Sequence, residues 1–167
     1  MTLRRLLVLI ALTCAPIAVS GCGFTPMYGT PGLSANLSSI QVVAPDGRVA
    51  YLLREDLDDA FGRNKNATPK WRLDFTVVQT RDPKGLNLNN ITERYQTDIT
   101  VNYTLTNAAT GAVAHSGEVT SAVSYDDAND PYAGIAARED TQRRAASDAA
   151  RRIQTELAAW MSGHGAE

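Results

Sequence analysis

The chain has 167 residues, a formal net charge of −2 at pH 7 and two cysteines, Cys14 and Cys22. This length fits one domain of ordinary size with a short extension. Binding to nucleic acid requires a surface rich in Lys and Arg, because phosphates must be neutralised. The slightly acidic balance therefore argues against a nucleic-acid partner.

Residues 1–21 have the pattern of a secretory signal peptide. Arg4 and Arg5 form a basic start, and an unbroken apolar run follows over residues 6–12. This run is too short to cross a bilayer core of about 30 Å, and Pro16 would interrupt a membrane helix. A signal that is removed fits the segment better than a transmembrane anchor.

The signal ends in Val19-Ser20-Gly21-Cys22, which resembles the lipobox of bacterial lipoproteins. The resemblance implies cleavage before Cys22 and acylation of its thiol; two or more acyl chains hold a protein stably to a membrane. Gly23 follows instead of Asp, which by resemblance to enterobacterial lipoproteins favours the outer membrane, on its periplasmic side. The alternative is an ordinary signal peptide with a cysteine near the cut by chance.

Cleavage changes both the charge and the cysteine count. Loss of Arg4 and Arg5 reduces the 16 basic side chains to 14 against 18 acidic ones, a formal charge of −4. Cys22 is then the only cysteine left, which excludes disulfides within the chain and cysteine-based metal sites.

The mature chain begins with a segment predicted to be a tether. Residues 22–36 are rich in Gly, Pro and Thr, which favours an extended linker between lipid and domain. The domain is predicted over residues 37–162, and residues 163–167 are predicted to be a disordered tail that includes His164.

The first strand is predicted within residues 37–43, and turn residues follow at Pro45-Asp46-Gly47. A helix is predicted over Arg48–Phe61, because apolar residues recur there at helical spacing. Gly62 is suited to end this helix in a left-handed cap.

Three strands with a period of two are predicted next, so each should bury one face. Their apolar positions are Trp71, Leu73, Phe75 and Val77; then Tyr95, Ile99, Val101, Tyr103 and Leu105; then Val113, Val119 and Val123, with His115 and Ser121 on the same parity. Residues 107–111 predict a hairpin between the last two strands. Residues 81–92 predict a longer, exposed connection.

The remaining residues predict an acidic loop over 125–131 and a long helix over 132–162. Ala146, Ala149, Ile153, Leu157 and Trp160 form the apolar stripe of that helix. Charged pairs at i, i+4 are expected on its other side, and each stabilises a helix by about 0.2–0.5 kcal/mol. These pairs are Glu139 with Arg143, Asp140 with Arg144, and Asp148 with Arg152.

The order β-α-β-β-β-α predicts an α+β fold, a two-layer sandwich with both helices on one face of a four-stranded mixed sheet. The first two strands are joined right-handedly if they are parallel. The opposite face is predicted to be polar, with Arg72, Asp74, Thr76, Thr100, Asn102, Thr104 and Thr106.

The sequence that follows the lipobox, Cys22-Gly-Phe-Thr-Pro-Met-Tyr-Gly, resembles alphaproteobacterial members of the LptE family of outer-membrane lipoproteins. The predicted element order agrees across the mature chain. The resemblance implies that the protein is not an enzyme. It implies a subunit of the lipopolysaccharide translocon that plugs the LptD β-barrel, assists its assembly and contacts lipopolysaccharide. The alternative is an accessory outer-membrane lipoprotein of another lipid-transport or secretion complex.

Lipopolysaccharide contact requires Lys or Arg, because these residues recognise its phosphates. Arg63, Lys65 and Lys70 flank the loop after the first helix, but Arg81, Lys84 and Arg94 are the preferred candidates. Arg81 and Lys84 lie where the second strand ends, and Arg94 begins the third, so a connecting loop would bring them together. Ordinary surface charge is the alternative reading of each.

Catalytic and cofactor motifs are missing from the sequence. Neither a His-x-x-x-His nor a Gly-x-Ser-x-Gly motif occurs, and Asp126 and the acidic residues after it lack EF-hand spacing. His115 is expected to be a partly buried or edge imidazole. No metal, cofactor or catalytic residue is therefore predicted.

Overall fold

The computed structural model describes residues 32–84, 94–126 and 131–164. Three helices and four strands follow the order α-β-α-β-β-β-α: α1 (Leu33–Ser38), β1 (Ile40–Val43), α2 (Arg48–Phe61), β2 (Trp71–Pro83), β3 (Arg94–Asn107), β4 (Val113–Asp126) and α3 (Pro131–His164). The predicted α+β class with a mixed four-stranded sheet is confirmed, and α1 is an additional element.

Helix α1 occupies a stretch that the sequence analysis divided between the extended tether and the first strand. It has only six residues, but Leu33 and Leu37 are both buried. A helix this short is unstable alone in water, so packing of these two leucines against the domain must hold it. The strand β1 consequently begins at Ile40, three residues later than the earliest predicted position.

Helix α2 has the predicted bounds and buries the predicted face. Leu53 and Leu57 are fully buried, with Val49 and Phe61 beside them. Gly62 ends the helix with φ of 60°, and its N–H is donated to the carbonyl of Asp59. The left-handed glycine cap is therefore present as predicted.

The sheet has the strand order β1-β2-β3-β4. β1 pairs in parallel with β2, with Ile40 opposite Trp71, whereas the β2–β3 and β3–β4 pairs are antiparallel. The parallel pair covers only the first four residues of β2. The hairpin between β3 and β4 closes through Gly111, whose N–H is donated to the carbonyl of Asn107 at 2.8 Å.

One irregularity changes the predicted face of Val113. The β3–β4 register shifts between Leu105 and Thr106, so that Leu105 opposes His115 while Thr106 opposes Val113. This extra residue places Val113 opposite a residue of the polar face, where it is 66% exposed. The expectation that Val113 and His115 share a face was wrong.

Both long helices pack on the same face of the sheet, and the short α1 contacts both of them. The core contains alternate residues of β2, β3 and β4 together with the apolar faces of α2 and α3. Ala145, Ala146 and Ala149 are buried in α3, so small side chains let this helix approach β3 and β4 closely. Within the described residues, no helix has the length and hydropathy needed to cross a bilayer.

Helix α3 carries two of the three predicted ion pairs. Asp140 pairs with Arg144 and Asp148 with Arg152, each at 2.8 Å. The prediction for Glu139 was wrong, because its partner is Arg48 at the start of α2, at 3.3 Å. A contact between the two helices thus replaces a contact within one.

The end of α3 extends past the predicted boundary at residue 162. Gly163 and His164 belong to the helix, and the His164 ring stacks on Trp160 with 5.1 Å between the ring centroids. His164 was predicted to lie in a disordered tail, and for this residue that prediction was wrong. Residues 165–167 lie outside the described part of the chain.

Candidate functional site

The candidate site lies where β2, β3 and β4 run past the end of β1. Arg81 belongs to the last part of β2, opposite Thr97 of β3. Two residues further along, Pro83 opposes Tyr95, and Tyr95 opposes Tyr125 of β4. The register therefore brings one basic and two aromatic side chains of equal parity to the same end of the sheet.

The guanidinium of Arg81 lies on the two tyrosines. Its central carbon is 3.4 Å from the ring centroid of Tyr95 and 5.7 Å from that of Tyr125. Its Nε–H is donated to the hydroxyl of Tyr125 at 2.6 Å, and the two tyrosine rings stack with centroids 5.9 Å apart. This geometry fixes a planar cation on an aromatic face, an arrangement for which arginine is better suited than lysine.

Arg94 and Lys84 lie at the same end but in different surroundings. The backbone N–H of Lys84 is donated to the carbonyl of Arg94 at 2.8 Å, so the ladder continues to the last described residue of this segment. Arg94 forms an ion pair with Asp126, its partner in the register, with 2.7 Å between Nε and Oδ1. The hydrogen bond and the charge of Arg94 lower the pKa of Asp126, and the same contact raises the pKa of Arg94.

The three predicted contact residues therefore share one end of the sheet but not one face. Arg81 has the parity of the core-facing residues, whereas Arg94 and Asp126 have the opposite parity. Arg81 is engaged with the tyrosines, and Arg94 with an acidic partner. Lys84 is exposed and has no ion pair among the described residues.

Tyr125 was not predicted as a site residue, because residues 125–131 were assigned to an acidic loop. Tyr125 and Asp126 are instead the last residues of β4. The available signal was parity, since Tyr125 continues the alternation of Val119 and Val123. Residues 127–130, in the rest of the predicted loop, lie outside the described chain, as do residues 85–93 between β2 and β3 and the predicted lipid attachment residue Cys22.

The polar face of the sheet is the second feature of the site. None of the described helices packs against it, and its residues are exposed or half-buried. Arg72 and Asp74 form a bidentate pair there, with 2.8 Å between Nη2 and Oδ1, and the hydroxyls of Thr100 and Thr120 lie 3.3 Å apart. The face thus offers hydroxyl, amide and balanced charged groups across three long strands.

His115 is half-buried at the opposite end of the sheet, as expected. Its ring stacks on Trp160 with centroids 5.4 Å apart and lies 6.0 Å from the ring of Tyr103. Within residues 32–84, 94–126 and 131–164, no group of three or more His, Cys, Asp or Glu could hold a metal ion.

Comparison with known families identifies this architecture. Residues 37–157 match the family described as LptE: lipopolysaccharide-assembly, which is well over half of the chain. The chain belongs to the LptE family. Its family assignment therefore places it in lipopolysaccharide assembly, and LptE-type lipoproteins are associated with the outer membrane.

Solved structures agree with this assignment. A protein from Caulobacter crescentus CB15 described as a lipoprotein is 42% identical, with a TM-score of 0.70, over 80% of this chain and 97% of that one. Rare lipoprotein B from Shewanella oneidensis is 17% identical, with a TM-score of 0.56, over 72% and 93% of the two chains. Lipoprotein B from Nitrosomonas europaea is 16% identical with the same TM-score, over 74% and 83%. The last two show the LptE fold alone. A search of the curated protein sequences gave no match.

Proposed function

We propose that this LptE-family chain is the lipoprotein subunit of the lipopolysaccharide translocon, held at Cys22 to the periplasmic side of the outer membrane. In this role it occupies the lumen of an LptD-type β-barrel, assists assembly of that barrel and contacts lipopolysaccharide in transit. The chain acts by binding and has no catalytic role.

The observation that carries the proposal is the uncovered polar face of the sheet. A large outer-membrane barrel has a polar interior, so a plug must present polar groups to it. The face spans β2, β3 and β4 and is rich in hydroxyl and amide groups, whereas the other face is covered by α2 and α3. Because the hydrophobic core lies between the helices and one face of the sheet, a partner can contact the other, polar face (the open face) without disturbing the core.

The experiment is copurification from detergent-solubilised outer membranes through a C-terminal tag on the full lipoprotein. A large, heat-modifiable β-barrel is expected in equal amount, and depletion of this chain should leave that barrel lost or misfolded. Recovery of the chain alone, or with subunits of another lipid-transport or secretion complex, would overturn the assignment to the translocon.

A bulky substitution on the open face sharpens this test. Asn102 is exposed there, so Asn102→Trp should leave the unfolding temperature unchanged and reduce recovery of the barrel. Ala136→Trp is the matched control, because Ala136 is exposed on α3. Equal recovery with both variants would show that the open face is not the barrel contact.

Lipopolysaccharide contact is proposed at the end of the sheet that carries Arg81, Lys84 and Arg94. All three residues are exposed, and the guanidinium of Arg81 also contacts Tyr95 and Tyr125. Photo-crosslinking from position 84 in living cells should capture lipopolysaccharide, and Lys84→Glu with Arg94→Glu should reduce crosslinking from a neighbouring position. The control is the same crosslinker at position 54, on the exposed side of α2.

A further inference from the structure

Arg81, Tyr95 and Tyr125 form an arginine–tyrosine cluster at one end of the sheet. The opposite end of the molecule is formed by four segments: residues 32–39, 62–70, 107–113 and 159–164. Backbone hydrogen bonds join the first three. Asn64 and Lys70 donate to the carbonyls of Ser38 and Ser39, and Ala108 donates to that of Lys70. The fourth segment contains Trp160, whose ring meets edge-on, at 6.0 Å, that of Trp71, the residue that follows the second segment at the start of β2. Together these segments form the tether end of the domain.

Aromatic rings concentrate at the tether end. Trp160 is half-buried between two imidazoles, with His115 stacked on it at 5.4 Å and His164 at 5.1 Å, and Trp71 is half-buried beside it. Val113 is exposed at the base of the hairpin. Trp71 and Trp160 are the only tryptophans of the chain, and they lie in contact with each other.

The charge of the tether end is opposite to that of the chain as a whole. Its four segments contain Arg63, Lys65 and Lys70 but no Asp or Glu. Arg63 pairs with Asp58 of α2 at 3.5 Å, and Asp59 lies beside Asp58. Lys65 and Lys70 are exposed and have no ion pair among the described residues.

The segment that leads to the lipid joins the domain at this end. Gly32 precedes α1, a helix of six residues, and Ser39 follows it and accepts the backbone N–H of Trp71. A helix of six residues is about 9 Å long, so the domain's N-terminal junction lies close to Trp71. Residues 22–31 reach at most about 35 Å even when fully extended, which limits how far a lipid on Cys22 can lie from this end.

We propose that the tether end rests on the anionic phospholipid surface of the leaflet that holds the lipid anchor. This inference rests on the lipid attachment at Cys22 that forms part of the proposed function. Tryptophan is enriched at membrane interfaces, because its ring is amphipathic and sits among headgroups. Exposed lysines beside a membrane anchor are attracted to anionic lipids, and long side chains let their charges reach the phosphates. The contact orients the domain relative to the bilayer.

The two tryptophans make the contact measurable without a label. The full lipidated protein is reconstituted into vesicles of zwitterionic phospholipid, with or without anionic phosphatidylglycerol, and with lipids brominated near the headgroup as quenchers. Quenching of tryptophan fluorescence is expected, stronger with the anionic lipid. It should weaken at ~1 M salt, where the Debye length is about 3 Å.

Charge reversal with a matched control tests the lysines. Lys65→Glu with Lys70→Glu is expected to reduce the quenching in anionic vesicles to the level of zwitterionic ones. Arg54→Glu with Arg138→Glu makes the same change in net charge on exposed positions outside the tether end, and should leave the quenching unchanged. Unfolding temperatures of both variants identify any loss of fold.

Three results would overturn the proposal. The first is tryptophan fluorescence that brominated lipids leave unquenched, and the second is quenching that is equal with and without the anionic lipid. The third result is the same decrease in quenching in both charge variants. The outcome is independent of the copurification experiment. If the barrel copurifies but brominated lipids do not quench the tryptophans, only the proposed surface contact is wrong. If the lipids quench but no barrel copurifies, the surface contact is supported and the assignment to the translocon is wrong.

Discussion

Tyr103 of β3 lies against the backbone of Gly117, its partner in β4, so closely that no side chain fits between them. A Cβ built at Gly117 would be 2.5 Å from the hydroxyl oxygen of Tyr103 and 2.6 Å from Cζ. The tyrosine cannot move aside freely, because it is 2% exposed and its hydroxyl is donated to Glu156 of α3 at 2.6 Å. The glycine thus permits a contact that ties the sheet to α3.

Gly117→Ala is therefore expected to lower the free energy of unfolding by about 1–3 kcal/mol, the usual cost of overpacking a core. Urea unfolding followed by circular dichroism measures the change. Gly163→Ala is the control, since nothing lies within 4 Å of a Cβ there and alanine is the better helix former. Equal stability of Gly117→Ala and the wild type would show that Tyr103 has room to shift.

The Tyr103–Glu156 contact should make stability depend on alkaline pH. Burial, the hydrogen bond to Glu156 and the charge of Glu156 raise the pKa of Tyr103 above its ordinary value. The folded state therefore holds the phenolic proton more tightly than the unfolded state. This stabilisation is fully present below about pH 10 and is lost as the pH rises further, by up to about 1.4 kcal/mol per pH unit.

Tyr103→Phe should lower stability at neutral pH by about 1 kcal/mol and flatten the loss of stability above pH 10. Unfolding curves of both proteins between pH 7 and about 11 provide the measurement. Tyr132→Phe is the control, because Tyr132 is 84% exposed. If wild type and Tyr103→Phe lose stability in parallel above pH 10, the phenol does not titrate differently in the folded state.

The arginine–tyrosine cluster should require the shape of arginine as well as its charge. Arg81→Lys keeps the charge but loses the planar contact with Tyr95 and the Nε–H bond to Tyr125. A loss of about 0.5–2 kcal/mol is expected. Faster amide hydrogen exchange in the last residues of β2 and the first of β3 should accompany it. Arg94→Lys, in an exposed ion pair, should cost at most about 0.5 kcal/mol; a larger loss there would contradict this account.

The short helix α1 should depend on its two buried leucines. Leu37 is 3% exposed, so Leu37→Ala is expected to lower the free energy of unfolding by about 2–5 kcal/mol. Hydrogen exchange should show early opening of α1. Ala35→Ser, on the exposed side of the helix, should change stability by less than about 0.5 kcal/mol. Slow exchange of α1 in Leu37→Ala would mean that other contacts hold the helix.

The sequence was a good guide wherever one periodicity governed a whole element. Helix α2 and the alternation of β2 and β3 follow from single stripes of apolar residues, and the left-handed cap follows from the one residue type that adopts it readily. Helix α1 could not be predicted in this way, because six residues rich in serine have no helical preference of their own. It forms because Leu33 and Leu37 are buried in the core of the domain.

The geometry of the candidate site depends on the register between strands, which the pattern of one strand does not determine. The prediction of an exposed connection from residue 81 onwards was wrong for Arg81, which belongs to β2, and its contacts with Tyr95 and Tyr125 require the alignment of three strands. The same limit explains Val113, whose face is set by a bulge between β3 and β4. The ion pair of Glu139 with Arg48 of α2 could not be predicted either, because the i, i+4 spacing considers only residues of one helix.

The order of the strands in the sheet has a consequence for how the chain folds. β2, β3 and β4 neighbour each other in both sequence and space, and α3 packs mainly on β4 and α2. The three-stranded meander can therefore form from local segments at small entropic cost. Docking of α2 on α3 is different, since contacts such as that of Gln154 with the carbonyl of Ala60 join residues 94 positions apart. Because a long stretch of chain must be closed to bring α2 and α3 together, their interface should form late in folding. Substitutions in this interface should therefore mainly speed unfolding, and substitutions in the three-stranded meander should mainly slow folding.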